Sequence, residues 1–165
     1  MTTIQERDLR GLKALVTGAT AGLGRAIAFQ LARDGADVTV HGRDATRGVQ
    51  TVEEIQLQGG SARFVGADLA DASSIARLAK VVGDIDILVN NAGFSVWGPT
   101  ETFEIASFDA MFAANVRAPF LLVSAFAPGM PRTSPRRRST IPPPCRRGRA
   151  RFPSGGASIA TADPA

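Results

Sequence analysis

A short apolar run, Lys13 to Thr17 (KALVT), leads directly into the glycine-rich turn Thr17-Gly18-Ala19-Thr20-Ala21-Gly22-Leu23-Gly24, and a helical pattern begins at the turn's end. This junction limits the fold more than any other feature of the chain. Glycines there allow backbone φ values closed to other residues and let a pyrophosphate approach the main chain. The helix start adds unpaired N–H groups and a positive dipole end. The spacing G-x-x-x-G-x-G over Gly18, Gly22 and Gly24, placed between a strand and a helix, points to nucleotide binding. A tight strand-to-helix turn that needs glycine only for its geometry is the plainer alternative.

The residues that follow repeat the same arrangement. Ile27, Leu31 and the alanines between them recur at helical spacing up to Asp34-Gly35, and Asp37 to His41 (DVTVH) reads as a second strand. Residues 45 to 58 predict a second helix closed by Gly59-Gly60, and Ala62 to Gly66 a third strand. Asp71 is placed to cap a third helix, and Ile85 to Asn90 (IDILVN) forms a fourth strand. A long helix is expected from Ser107 to about Ala127, with Pro119 as a local irregularity. Strict alternation of strand and helix predicts an α/β fold: a Rossmann-like, doubly wound parallel sheet, incomplete at about four strands and four helices.

Charge divides the chain in two. Residues 1–130 hold 11 Lys+Arg against 14 Asp+Glu, whereas residues 131–165 hold 8 Arg against one acid. The overall charge of +4 therefore comes from the last segment alone. That segment also contains seven prolines and no periodicity lasting one element, so it reads as a disordered Arg/Pro-rich tail after a nucleotide-binding domain over residues 1–130. No uninterrupted run approaches the roughly 18 apolar residues of a membrane span, and the polar start lacks the layout of a secretory signal. No membrane association and a cytoplasmic location are expected. The single cysteine, Cys145, excludes an intrachain disulfide, and no metal site is expected.

The strand ends carry the remaining chemistry. In a dinucleotide fold, the end of the second strand reads the adenosine ribose: an acid suits a free 2′-hydroxyl, an arginine a 2′-phosphate. Here the strand ends His41-Gly42-Arg43-Asp44. The guanidinium fork of Arg43 favours NADP over NAD, while neighbouring Asp44 points the other way. His41 reads as a packed strand residue. Asp68 can accept a hydrogen bond from an adenine amino group or cap its own loop. Asn90-Asn91-Ala92-Gly93 can form a turn or let a cofactor lie against the backbone. Both segments follow strand ends, where open parallel sheets bind ligands.

Taken together, the turn Thr17 to Gly24, Asp68-Leu69, Asn90-Asn91-Ala92-Gly93 and Asn115-Val116, in this order and spacing, resemble the short-chain dehydrogenase/reductase family over residues 8 to about 130. The resemblance implies that Gly18, Gly22, Leu23 and Gly24, with Thr20 in the same turn, lie under the pyrophosphate. It places Asp68 and Leu69 by the adenine, and Asn91, Ala92 and Gly93 along the ribose and nicotinamide side. Arg43 stands where NADP-preferring members carry arginine, although Ala21 replaces the basic residue that many of them have in the turn. The implied reaction is hydride transfer between nicotinamide and a carbonyl or alcohol carbon, with homo-oligomeric full-length members. Asn115 matches the family's proton-relay asparagine. The loop Phe94-Ser95-Val96-Trp97 is expected to border the substrate space, with Trp97 serving either packing or recognition.

The family's serine, tyrosine and lysine are missing. By the usual spacing they would fall near Pro143, Gly156 and Ala160. The chain has no tyrosine, and its lysines are Lys13 and Lys80. The expectation is an inactive chain whose C-terminal part is truncated or read out of frame after about residue 130. Two alternatives stand beside it: a non-catalytic nucleotide-binding or regulatory fragment, and an arginine-rich tail that binds nucleic acid through Arg136 to Arg138 and Arg146 to Arg151. Charge without interleaved aromatics disfavours the second. Loss of later strands would expose the fourth strand's edge and the apolar face of the last helix, including Met111, Phe112, Val116, Phe120 and Phe126, and would make the chain poorly soluble or molten.

Overall fold

Each strand takes its place in the sheet from the alternation of its own side chains. In β1 (Lys13–Val16), Ala14 and Val16 point to one face and Leu15 to the other, and all three are buried. A strand apolar on both sides needs helices on both sides. The computed structural model, which describes residues 8–131, supplies them.

The elements that follow are α1 (Gly22–Arg33), β2 (Asp37–Gly42), α2 (Ala45–Leu57), β3 (Ser61–Gly66), α3 (Ala72–Val82) and β4 (Ile87–Val89). A short 3₁₀ turn at Thr100–Thr102 precedes α4 (Ile105–Phe112), a π-helical segment Ala113–Arg117 and α5 (Ala118–Phe126). The four strands form one parallel sheet in the order β3-β2-β1-β4. Lys13 lies beside Asp37, Asp37 beside Ser61, and Ala14 beside Ile87. The expected doubly wound α/β architecture is therefore present. The order reverses between β1 and β4, which opens a crevice at their carboxyl ends.

Two apolar layers hold the sheet. On one face Ala14, Val16, Val38 and Val40 pack with Ala28, Ala32 and Ile55. The buried side of α1 is Gly24, Ala28 and Ala32, four residues apart, so small side chains let this helix lie close against the strands. On the other face Leu15 packs with Ile75, Leu78 and Val82 of α3 and with Ala118, Leu122 and Phe126 of α5. Asp71 caps α3 as expected, its carboxylate accepting from the Ser73 and Ser74 N–H groups. Asp86 fastens the start of β4 to β1: its N–H donates to the Lys13 carbonyl at 2.8 Å, and its carboxylate accepts from the Lys13 N–H at 2.9 Å.

The last helix departs from the sequence reading. The expected irregularity at Pro119 lies one turn earlier, as the π segment Ala113–Arg117. Proline has no N–H to give the carbonyl four residues back, and its ring crowds that carbonyl; a widened turn accommodates both. The run Ile105–Gly129 is also long and apolar enough to cross a membrane by length and composition, which corrects the expectation that no such run exists. Counting uninterrupted apolar residues missed it because Asp109, Asn115 and Arg117 break the run without making its average polar. Two of the five residues expected to lose partners do not. Phe126 is buried against α3, and the Sδ of Met111 accepts from the Val96 N–H at 3.1 Å. Phe112, Val116 and Phe120 are exposed, as are Ile105 and Phe108. The tail expected after residue 130 lies, from residue 132 onward, outside the described residues.

Burial separates neighbours on this helix. Leu122→Ala removes a fully buried side chain and should cost about 2–5 kcal/mol. Phe120, 71% exposed, should tolerate alanine within about 0.5 kcal/mol. Urea unfolding of both variants measures the contrast; equal losses would mean that the helix does not pack as described.

Candidate functional site

Thr17 immediately follows β1 and is 1% exposed. Its hydroxyl donates to the Val89 carbonyl at 3.2 Å and accepts from the Asn91 and Ala92 N–H groups, each at 3.0 Å. Asn91 answers with its side chain, its Nδ2 donating to the carbonyls of Thr17 at 2.9 Å and Gly18 at 3.2 Å. One threonine and one asparagine thus tie the β1 and β4 ends together across the point where strand order reverses. Sequence reading assigned Thr17 no role; its place at the last buried position of a central strand was the available signal.

The glycine turn is held against this clasp. Gly18 and Gly22 have φ of 64° and 54°, a left-handed conformation that glycine adopts without penalty. Gly24 needs its bareness for a different reason. A Cβ there would run into the Gly18 carbonyl and the Asn91 amide, so only a hydrogen lets α1 begin so close to the turn. The N-cap position of α1, Ala21, offers no side-chain hydrogen bond, and the first turn has no acidic residue. The helix N-terminus is left electropositive towards the opening.

These pieces line a crevice of about 780 Å³. Gly18, Thr20, Gly22, Leu23, Gly24, Arg43, Asp68, Leu69, Asn91, Ala92 and Gly93, all singled out from the sequence, meet there. Leu23 is 70% exposed, which its place on the crevice wall accounts for. His41, Asp44, Arg47 and Phe94 line the same space. Asp68 uses Oδ1 to accept from the Ala70 N–H at 3.0 Å, closing its own loop. Arg117 steadies that loop by donating to the Ala70 carbonyl at 2.6 Å. Asn115 is not on the crevice wall. It grips the Phe94 backbone from behind, its Nδ2 donating to the carbonyl at 2.8 Å and its Oδ1 accepting from the N–H at 3.0 Å. Trp97, in the loop read as bordering substrate, is 91% exposed.

At the β2 end the two charged residues differ sharply. Asp44 caps α2: Oδ1 accepts from the Arg47 N–H at 3.0 Å, and Oδ2 accepts from Arg47 Nε at 2.7 Å. These bonds, the backbone one first, hold its carboxyl below the usual carboxylate range. Arg43 makes no salt bridge among the described residues.

The match to known proteins follows the same geometry. A family model described as short chain dehydrogenase matches residues 12–139. The chain belongs to the short-chain dehydrogenase family. Among curated members it is 39% identical over 117 residues to an uncharacterized oxidoreductase of Thermotoga maritima, covering 70% of this chain and 47% of that protein. It is 36% identical over 124 residues to gluconate 5-dehydrogenase of Gluconobacter oxydans, covering 73% and 48% respectively. A solved metagenomic short-chain oxidoreductase, in complex with NADP, superposes with a TM-score of 0.72 at 42% identity, covering 74% of this chain and 57% of that one. The chain spans about half the length of the curated family members it matches.

Two predictions follow from this clasp and its neighbour. Thr17→Val keeps the shape but leaves the Asn91 and Ala92 N–H groups without their acceptor, while the Val89 carbonyl still accepts from the residue 17 backbone N–H at 3.0 Å. It should cost about 1–3 kcal/mol in urea unfolding, and an unchanged midpoint would remove Thr17 from its central place. His41, the chain's one histidine, is 2% exposed. Its Nε2–H can donate to the Ala67 carbonyl at 3.2 Å, while Nδ1 is buried without a partner. Burial pushes its pKa below the ordinary 6.5. The unfolded chain therefore takes up a proton that the folded chain resists. Stability should be fully present above about pH 6.5 and fall as pH drops from there towards the lower folded value. Unfolding at about pH 7.5 and about pH 5.5 should show the loss, and His41→Gln should flatten it.

Proposed function

We propose that residues 1–130 are the dinucleotide-binding part of an NADP-preferring short-chain reductase. One observation carries the reading: the glycine turn, Arg43, Asp68-Leu69 and Asn91 to Gly93, far apart in sequence, line a single crevice at the carboxyl ends of the strands. A long, thin ligand with an anionic pyrophosphate at its middle fits such a wall. Gly18, Gly22 and Gly24 let the pyrophosphate lie on the main chain at the α1 N-terminus. Asp68 and Leu69 take the adenine, with Asp68 Oδ2 as acceptor for its amino group. Ala92 and Gly93 give the nicotinamide ribose a flat approach. Asn115 supports this side of the crevice by holding Phe94 in place.

The preference for NADP rests on how the β2 end spends its charges. Asp44 is the acid that would read a free 2′-hydroxyl, yet both of its oxygens are occupied by Arg47. Arg43 is on the crevice wall and available to a 2′-phosphate. The solved relative in complex with NADP supports the same cofactor class.

When bound, the nicotinamide supplies the hydride chemistry, between itself and a carbonyl or alcohol carbon. This chain's residues bind and orient. The sequence has no tyrosine to give or take the accompanying proton and no lysine after Lys80 to lower a phenol's pKa. The reading is accordingly a binder of dinucleotide without measurable turnover.

Calorimetric titration of the 165-residue chain with NADPH and with NADH tests this directly. NADPH should bind the more tightly, and Arg43→Ala should weaken it by roughly 10- to 100-fold while leaving NADH within about 2-fold. Absence of saturable binding by either dinucleotide would overturn the reading, and equal affinities would overturn the preference.

A further inference from the structure

We infer that Arg47 is a second ligand for the 2′-phosphate, a specificity-determining residue that Asp44 holds in position beside Arg43. The inference rests on the dinucleotide reading above and deepens it. By sequence alone Arg47 is one more surface charge on a helix. The fold brings it to the same stretch of crevice wall as Gly42, Arg43 and Asp44.

The geometry at the start of α2 gives the reason. Asp44 is the N-cap, so Arg47 sits in the first turn, where its own N–H would otherwise lack a partner. Asp44 satisfies that N–H with one oxygen and the guanidinium Nε with the other. A two-point hold by one carboxylate fixes both the root and the head of the arginine. It engages Nε and leaves the terminal nitrogens without a hydrogen bond among the described residues. A phosphate monoester is doubly charged or nearly so at neutral pH, with three acceptor oxygens. Those oxygens suit two guanidinium groups better than one, and the positive end of the 13-residue helix α2 adds to the field.

The same geometry assigns Asp44 a role opposite to the one its position suggests. A free carboxylate after β2 would select the unphosphorylated ribose and repel a phosphate. Paired to Arg47, it neither presents an open acceptor to the ribose nor stands as an uncompensated anion. Asp44 is therefore a positioning residue, and Arg43 with Arg47 form the charge pair that meets the ligand.

The test isolates the adenosine end by using 2′,5′-ADP and 5′-AMP as calorimetric probes of the 165-residue chain. Arg47→Gln should weaken 2′,5′-ADP by about 10-fold, in line with the loss of a charge-assisted hydrogen bond. It should leave 5′-AMP within about 2-fold and the urea midpoint unchanged, since the Arg47 side chain is 58% exposed. Asp44→Asn keeps a capping oxygen and should leave 5′-AMP unchanged as well. The double variant Arg43→Ala/Arg47→Gln should abolish discrimination between the two probes. If Arg43→Ala weakens 2′,5′-ADP and Arg47→Gln does not, Arg47 is only a helix-capping partner and this inference fails while the dinucleotide reading stands. If Asp44→Asn weakens 5′-AMP by 10-fold or more, Asp44 reads the free 2′-hydroxyl and the assignment is reversed. Failure of the unaltered chain to bind either probe overturns both.

Discussion

The hydrogen-bond clasp between Thr17 and Asn91 is the constraint on which the rest of the molecule depends. Parallel strands are joined only through crossovers, so nothing in the local chain makes β1 and β4 meet; their paired residues, such as Ala14 and Ile87, are 73 apart in sequence. Thr17 Oγ1 closes that meeting by serving one carbonyl and two N–H groups of the β4 end. The Asn91 amide then passes the restraint back to Gly18, and Gly18 and Asn91 together fill the space that any side chain at residue 24 would need. The glycine turn is thus positioned as much by the strand beside it as by its own flexibility.

Other parts of the crevice are held from behind in the same manner. Asn115 grips Phe94 from a π-helical turn, and Arg117, two residues on, holds Ala70. Both side chains therefore project from the one stretch of helix whose regular hydrogen bonding is disturbed ahead of Pro119. A backbone feature that costs helical regularity coincides with the supports for two crevice loops. On its opposite side this helix is fully committed to the core through Ala118, Leu122 and Phe126.

The fold was largely legible in the sequence because the signals were local. Short apolar strands of three to six residues, glycine and aspartate at helix ends, and small residues four apart in α1 each announce their element without reference to distant partners. Candidate positions at strand ends were legible for a related reason: in a parallel sheet every strand end falls on the same edge, so knowing the strands locates the ligand-facing loops. Gly48 shows the limit. Glycine inside a helix reads as a weakness, and only the fold reveals the Phe64 ring lying where its Cβ would be.

What the sequence determined by itself, then, was the order and type of elements, the family, and the set of residues that could face a nucleotide. These follow from periodicity, turn chemistry and motif spacing along the chain. Tertiary structure alone decided how those residues are spent. Asp44 and Arg43 are adjacent in sequence, yet one is consumed by Arg47 and the other makes no salt bridge among the described residues. Phe126 and Phe120 lie on one apolar helix, yet one is core and the other is exposed. Hydrogen bonds and burial belong to pairs of groups, and sequence names the members of such pairs without saying which of them meet.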